Sequence, residues 1–268
     1  MSVDYDKFAK QYDSFRRPDK RIADSITKHL VGAQRIINVG AGTGAYEPTD
    51  CDVVAIEPSH EMIAKRKQGT TTAIQGYAED LPFDDDEFDV AMGILTIHHW
   101  RDIPQGLSEM RRVAKRKVVI LTWIDDSPKY WLEDYFPEMR VMDKALFPTL
   151  NELDQLPGRI SSEVVEIPGD CTDGFMCAYW KRPDAYLDEG VRAAISTFAR
   201  MQNVEAGLAQ LACDISSGKW HREHGNLLTK DSMDLGYRLV VCDKTNYKHM
   251  KFAPAALHTD KFEKNDIA

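Results

Sequence analysis

The sequence predicts an α/β protein with a doubly wound, mostly parallel sheet of about seven strands and a helical lid inserted late in the chain. Three observations support this fold. Short apolar runs alternate with amphipathic helical segments as far as Trp123. A glycine turn joins the first apolar run to the second, which ends in an acid. After Trp123 the alternation stops, and aromatic, proline-rich and helical segments follow.

Size and composition suit one domain spanning residues 1–268. The chain is 43% hydrophobic with a net charge of −9, an acidic balance that argues against a nucleic-acid partner. Its five cysteines form no CxxC motif, which indicates reduced thiols and a cytoplasmic location. We expect no signal peptide, no transmembrane segment and no membrane partner, and either a monomer or a homodimer.

The first half of the chain is expected to supply the core, residues 1–124. Strands are predicted near 35–39, 52–57, 71–74, 88–92 and 118–121, and helices at about 5–15, 19–31, 59–67 and 102–114. Asp19, Ser59 and Asp102 are the expected N-caps of the last three helices. The basic run Lys115-Arg116-Lys117 resembles a solvated helix end.

The second half is expected to combine two core strands with the lid. The strands are predicted near 162–168 and 235–242, and the lid insertions at about 125–160 and 170–233. Aromatic residues are dense in the first insertion, so they either form the lid's own core or line an acceptor pocket.

The segment 36–57 has the pattern of a nucleotide site. Glycines at 40, 42 and 44 let the backbone approach a ligand closely, and Glu57 ends the second strand, where an acid can accept hydrogen bonds from ribose hydroxyls. GAGTGA also fits the dinucleotide pattern G-x-G-x-x-A, so an NAD-type dehydrogenase is one candidate. Two preceding helical segments and a short crossover containing Pro48 disfavour it, because little room remains for a pyrophosphate-binding helix.

Five segments in order carry a more specific resemblance: VGAGTG at 39–44, EPS at 57–59, AEDLPF at 78–83, EFDV at 87–90 and HHW at 98–100. Over roughly residues 5–123 the chain resembles class I S-adenosylmethionine (SAM) dependent methyltransferases, in the branch of the ubiquinone/menaquinone biosynthesis enzymes. The resemblance implies a Rossmann-like fold, SAM as cofactor and S-adenosylhomocysteine as product.

The resemblance also implies which residues hold SAM. The implied cofactor-binding residues are Tyr12, Arg17, Gly40, Ala41, Gly42, Glu57, Pro58, Met62, Ala78, Glu79, Gly93 and Ile94. Glu57 would bind the ribose, and Tyr12 and Arg17 would close over the site. Tyr77 stands where many relatives carry Asp against the adenine amino group, so that contact would fall to Glu79 or to a backbone carbonyl.

Methyl transfer is a displacement at the sulfonium methyl, in which a protein aligns the acceptor and sometimes removes a proton. His98 is the candidate general base, with simple packing in its loop as the alternative. The residues expected to contact the acceptor are His98, His99, Trp123, Tyr130 and Trp131. No metal is expected, although His221 and His224 could share a helix face. Cys171 lacks the basic neighbour that a reactive thiol needs.

Taken together, these features predict a SAM-dependent methyltransferase acting on a small, partly apolar organic molecule. Two alternatives remain open from sequence: an NAD-type dehydrogenase, and a SAM-binding protein without catalytic activity.

Overall fold

The computed structural model describes residues 15–66, 71–125, 127–154 and 158–245. Tyr12 and all but the last residue of the helix expected at 5–15 lie outside the described residues. The strands are β1 Arg35–Val39, β2 Asp52–Glu57, β3 Ala73–Gln75, β4 Phe88–Ile94, β5 Ala114–Trp123, β6 Arg159–Val164, β7 Ile167–Pro168, β8 Ser232–Met233 and β9 Tyr237–Asp243. The helices are α1 Lys20–Leu30, α2 His60–Ala64, α3 Ile103–Val113, α4 Glu138–Leu146, α5 Leu150–Leu153, α6 Glu189–Ala193, α7 Ser196–Arg200, α8 Glu205–Ser216 and α9 Lys219–His224.

The main sheet confirms the predicted fold class. Its seven strands lie in the order β3-β2-β1-β4-β5-β9-β6, and β9 runs antiparallel to both of its neighbours while the remaining pairs are parallel. β7 and β8 form a separate two-stranded sheet. The carboxyl ends of β1, β2, β4 and β5 meet at one edge of the main sheet, where α/β proteins bind ligands.

The predicted caps and apolar stripes account for the helices that cover the sheet. Asp19 accepts a hydrogen bond from the Arg21 amide at the start of α1, and Asp102 accepts one from the Gln105 amide at the start of α3. α1 buries Ile22, Ile26 and Leu30, and α3 buries a corresponding stripe. Residues 40–51, between β1 and β2, contain no helix, which confirms the short crossover.

The prediction that Lys115-Arg116-Lys117 forms a solvated helix end is wrong. These residues form the beginning of β5. α3 ends at Val113, and β5 starts at the next residue. Lys117 pairs with Asp243 of β9, and the Arg116 guanidinium donates to the Gly32 carbonyl at 2.8 Å. Sheet pairing and local partners therefore set the conformation of a run whose charge alone is typical of a helix terminus.

Most of the remaining helices lie in two segments that we call the helical connections, residues 127–154 and 169–231. Their interior is aromatic: the Trp131 indole N–H donates to the Trp180 carbonyl at 2.9 Å, and its ring lies edge-on to Trp220 at 5.3 Å. The hydroxyls of Tyr130 and Tyr186 are 2.8 Å apart. Within the described residues, no helix combines the length and apolar composition that a membrane crossing requires.

Candidate functional site

A cavity of about 280 Å³ lies between the carboxyl edge of the main sheet and the helical connections. We call its lining residues from Arg16 to Arg101 the strand-edge half, and those from Trp123 to Tyr237 the helical half. The sequence-predicted residues in its wall are Gly40, Ala41, Gly42, Glu57, Pro58, Met62, Ala78, Glu79, Ile94, His98, His99, Trp123 and Tyr130. One enclosure therefore brings together residues from both halves of the chain.

The glycine turn forms one wall through its backbone. Gly40 and Gly42 have φ of 72° and 52°, a region that side chains disfavour. A Cβ at Gly40 would lie 2.0 Å from Thr96 Oγ1, whereas a Cβ at Gly42 would meet nothing within 4 Å. At Gly40 the turn therefore packs tightly against the loop after β4, and beside Gly42 it leaves open space.

Glu57 anchors the turn from the end of β2. Its Oε2 accepts from the Gly42 amide at 2.7 Å, and its Oε1 accepts from the Ser59 amide at 2.9 Å. Burial raises the pKa of this carboxyl, while the two amide hydrogen bonds oppose that effect. Each oxygen keeps a further lone pair for a ligand hydroxyl.

A buried ion pair supports the same turn, and sequence reasoning missed it. Arg66 donates to Glu47 Oε2 at 2.6 Å and to the Gly42 carbonyl at 3.2 Å, and Asn38 donates to Glu47 Oε1 at 2.9 Å. Both charged side chains are almost fully buried. These contacts tie β1, the helix-free crossover and the segment after α2 to the turn. The only feature of the sequence that could have indicated this ion pair is the charged residue Glu47 within a short crossover.

The loop after β3 forms the outer end of the strand-edge half. Glu79 Oε1 accepts from the backbone amides of Arg101 and Asp102, at 2.6 and 3.0 Å. The Arg101 guanidinium lies 3.8 Å from the centre of the Tyr77 ring. One Glu79 oxygen is thus committed to holding the loop that starts α3.

His98 and His99 form a single helical turn, Ile97–His99, directly after β4. The His98 ring stacks on Phe147 at 4.2 Å and lies 3.9 Å from the His99 ring. Burial, reinforced by nearby cations, holds the pKa of His98 well below its usual range. The His98 ring is therefore neutral at physiological pH. His98 Nδ1 is buried and has no hydrogen-bond partner among the described residues.

Asp143, on α4, is the main wall residue of the helical half that sequence reasoning missed. Its Oδ1 accepts from Thr197 Oγ1 of α7 at 3.1 Å, and burial raises the pKa of the carboxyl to about 6. Glu133 lines the same half, but Arg140 and the Tyr130 amide already bind its carboxylate, at 3.1 and 2.9 Å. Both acids lie within an aromatic segment, and nothing in their spacing pointed to the cavity.

Three predicted residues lie away from the cavity wall. Gly93 faces the α3 side, since a Cβ there would meet Met110 at 3.5 Å. Trp131 packs in the aromatic interior of the helical connections. Arg17 is exposed, whereas its neighbour Arg16 lines the cavity and pairs with the buried Asp173 at 2.6 Å. Their roles in binding remain predictions.

Other candidates from sequence show no reactive arrangement. Burial raises the pKa of the Cys171 thiol to about 12, which opposes formation of a thiolate. In the part of the chain that the structure describes, His, Cys, Asp and Glu side chains form no cluster able to hold a metal ion.

Comparison with known proteins agrees with this geometry. The methyltransferase domain family matches residues 37–122. A 2-methyl-6-phytyl-1,4-hydroquinone methyltransferase of rice (Oryza sativa subsp. japonica) is 30% identical over 115 residues, 39% of this chain and 33% of that one. A ubiquinone/menaquinone biosynthesis C-methyltransferase of Geobacter sp. (strain M21) is 35% identical over 109 residues, 34% of this chain and 46% of that one. The chain thus spans a third to a half of these curated relatives.

A solved structure matches over nearly its whole length. A protein of Anabaena variabilis, named provisionally as a methyltransferase from an antibiotic biosynthesis pathway, is 33% identical with a TM-score of 0.79. The match covers 85% of this chain and 99% of that one. The YcgJ protein of Bacillus subtilis, 16% identical over 84% of this chain and 99% of that one with a TM-score of 0.53, shares the fold.

The cavity fits the cofactor of this family. Open space lies beside Gly42, and the buried carboxylate of Glu57 faces the same cavity from the end of β2. SAM, when bound, supplies an electrophilic methyl group on a sulfonium. The resemblance carried by the five sequence motifs is confirmed: the chain belongs to the class I SAM-dependent methyltransferases, and part of it is similar to the ubiquinone/menaquinone biosynthesis enzymes.

Proposed function

We propose that this enzyme methylates a small, partly apolar organic molecule enclosed beneath the helical connections, which act as a lid. One observation carries the proposal: a single cavity joins the glycine turn and Glu57 to an aromatic wall that includes Trp123, Tyr130 and Phe147. A cavity of about 280 Å³ has room for small-molecule groups.

We assign cofactor binding to the strand-edge half. Gly40, Ala41 and Gly42 would pass against the amino-acid part of SAM, and Glu57 would accept hydrogen bonds from the ribose hydroxyls. Pro58, Met62 and Ala78 would contact the adenine. Tyr77 and the uncommitted Glu79 oxygen lie nearest the adenine edge in this assignment.

The helical half would hold the acceptor in line with the methyl group and exclude water. Alignment can supply much of the acceleration of a displacement, so an invariant catalytic side chain is not required. His98 is neutral and its ring is fixed by Phe147, so it would act by contact and hydrogen bonding. The low pKa of its imidazolium makes it a weak base.

The acceptors named for the relatives do not transfer to this chain. The family match ends at Thr122, so it covers the segment that builds most of the strand-edge half and none of the helical half. We further propose one domain in a cytoplasmic location, as a monomer or homodimer. All five cysteines are free, as expected in a reducing compartment.

The test uses SAM labelled in its methyl group. The enzyme is incubated with a cell extract, which is then separated into small molecules, protein and nucleic acid. We expect label in the small-molecule fraction, retained on a reversed-phase column, and none with heat-inactivated enzyme. Enzyme-dependent label confined to protein or nucleic acid would contradict the proposal.

A further inference from the structure

The helical half of the cavity contains two carboxylates, and among the described residues only one of them is paired with a cation. Its two ionisable acids are Glu133 and Asp143, and no Lys or Arg among the described residues lines this half. The Glu133 carboxylate is compensated by Arg140, which contacts it from outside the wall. Within the described ranges, the Asp143 carboxylate has no ion pair, and its one hydrogen bond comes from the neutral hydroxyl of Thr197.

Charged groups on the neighbouring elements act on Asp143, but none of those that the structure describes forms an ion pair with it. Glu133 from the turn Trp131–Asp134 adds negative charge, while Arg140 of α4 and Arg200 of α7 supply weaker positive influence. Arg140 is occupied by Glu133 and by the Ser127 carbonyl, and Arg200 lies 3.4 Å from His99 Nδ1. A half-buried carboxylate without an ion pair is stabilised by a cation placed beside it.

The surrounding wall suits an organic cation. Trp123 and Phe147 meet edge-on at 5.3 Å, and Phe175 and Tyr237 lie 4.7 Å apart. All four rings line the cavity, and aromatic faces attract ammonium groups. The buried, unpartnered Nδ1 of His98 can accept an N–H hydrogen bond in the appropriate tautomer.

From these observations we infer that the acceptor is a small amine, bound as its ammonium by Asp143 within this aromatic wall. The inference rests on the proposed function and names its substrate class. In the reaction the ammonium gives one proton to the Asp143 carboxylate. The nitrogen lone pair then forms the new N–CH₃ bond as the C–S bond breaks, with that electron pair going to sulfur.

The test measures binding to the full chain loaded with S-adenosylhomocysteine. Three probes share a ring and differ in charge: benzylamine, benzyl alcohol and benzoate. By calorimetry at pH 7.5, we expect benzylamine to bind at least about tenfold more tightly than benzyl alcohol, and benzoate most weakly. Equal or weaker binding of benzylamine, including no detectable binding, would overturn the inference.

Three variants assign the preference to one carboxylate. Asp143→Asn should bring benzylamine and benzyl alcohol within about twofold, and Asp143→Glu should retain the preference because it keeps the charge. Asp134→Asn is the matched control, a lid carboxylate that pairs with Lys129 outside the cavity. Folding of each variant is checked by its thermal shift with S-adenosylhomocysteine.

Two further outcomes are decisive. An Asp143→Asn variant that keeps the amine preference would overturn the assignment. So would one that alters only the ratio of SAM to S-adenosylhomocysteine affinity, because the partner of Asp143 would then be the sulfonium. Failure of S-adenosylhomocysteine to stabilise the wild-type protein would instead count against the assigned cofactor site, so the two failures are distinguishable.

Discussion

The two halves of the cavity each contain a carboxylate, Glu57 buried and Asp143 half-buried, and the two differ in their hydrogen-bond partners. Glu57, in the strand-edge half, accepts backbone amide hydrogen bonds on both oxygens, at 2.7 and 2.9 Å. Asp143, in the helical half, accepts one hydrogen bond from a hydroxyl at 3.1 Å. Burial raises the pKa of both groups. Two backbone amides fix the position of the first carboxylate, which keeps one lone pair on each oxygen, whereas a single hydroxyl holds the second, which has more capacity left for a ligand.

This difference distinguishes the part of the cavity that related proteins share from the part that is specific to this chain. A site held by backbone amides and glycine geometry depends on the path of the chain at the strand ends, which related sheets reproduce. A site assembled from side chains on several short helices differs between proteins whose inserted segments differ in sequence and length. This difference supports our proposal that the strand-edge half binds SAM and the helical half selects the acceptor.

The largest effect expected from this comparison concerns Gly40. Gly40→Ala adds a Cβ about 2.0 Å from Thr96 Oγ1 at a φ of 72°, so overlap and backbone strain act together. We expect a loss of about 3 kcal/mol or more in the free energy of unfolding and weaker S-adenosylhomocysteine binding. Gly32→Ala is the control, because its φ is 75° with nothing within 4 Å. It should cost about 1–2 kcal/mol. Equal losses in urea unfolding would show that the close contact with Thr96 is unimportant.

Sequence predicted the strand-edge half well because its residues follow directly from strands. Gly40 comes right after β1, Glu57 ends β2, and His98 lies in the turn after β4. Local hydrophobic patterns locate strand ends, and parallel strands place those ends at one edge. Gly93 shows the limit of this approach: it follows the same logic, yet strand alternation turns it toward α3.

The helical half could not be predicted in the same way. Asp143 and Thr197 meet at 3.1 Å although α4 and α7 are far apart in the chain. Contacts of this kind depend on how short helices pack, which the periodicity of either helix does not encode. Trp131 illustrates the same point, because an aromatic residue next to Tyr130 in sequence points into the interior against Trp220.

The second largest effect is expected on cofactor affinity and tests the role of Glu57. Glu57→Ala should weaken S-adenosylhomocysteine binding by about 1–3 kcal/mol, the scale of a lost charged hydrogen bond, or roughly 5- to 150-fold in calorimetry. Asp52→Ala, at the exposed opposite end of β2, is the matched control and should change affinity less than twofold. Unchanged affinity in Glu57→Ala would refute its assignment as the ribose ligand.

The smallest effect concerns the stability cost of Asp143. Burial raises the pKa of this carboxyl from 3.8 to about 6, so the folded state holds the proton more tightly than the unfolded state. Its contribution to stability is fully present below pH 3.8 and is lost as pH rises through about 6. Without ligand, Asp143→Asn should therefore be more stable than wild type by about 1–2 kcal/mol at pH 8, discounted for partial exposure, with the difference falling toward zero near pH 4.

Urea unfolding at both pH values measures this difference, with Asp134→Asn as the control variant outside the cavity. A gain that is the same at pH 4 and pH 8 would mean that the charge of Asp143 is not its source. A gain in stability confined to high pH would show that the charged Asp143 carboxylate destabilises the helical half in the absence of ligand. The strand-edge half should show no equivalent gain, because replacing Glu57 with Gln removes an acceptor for the amides that hold the glycine turn.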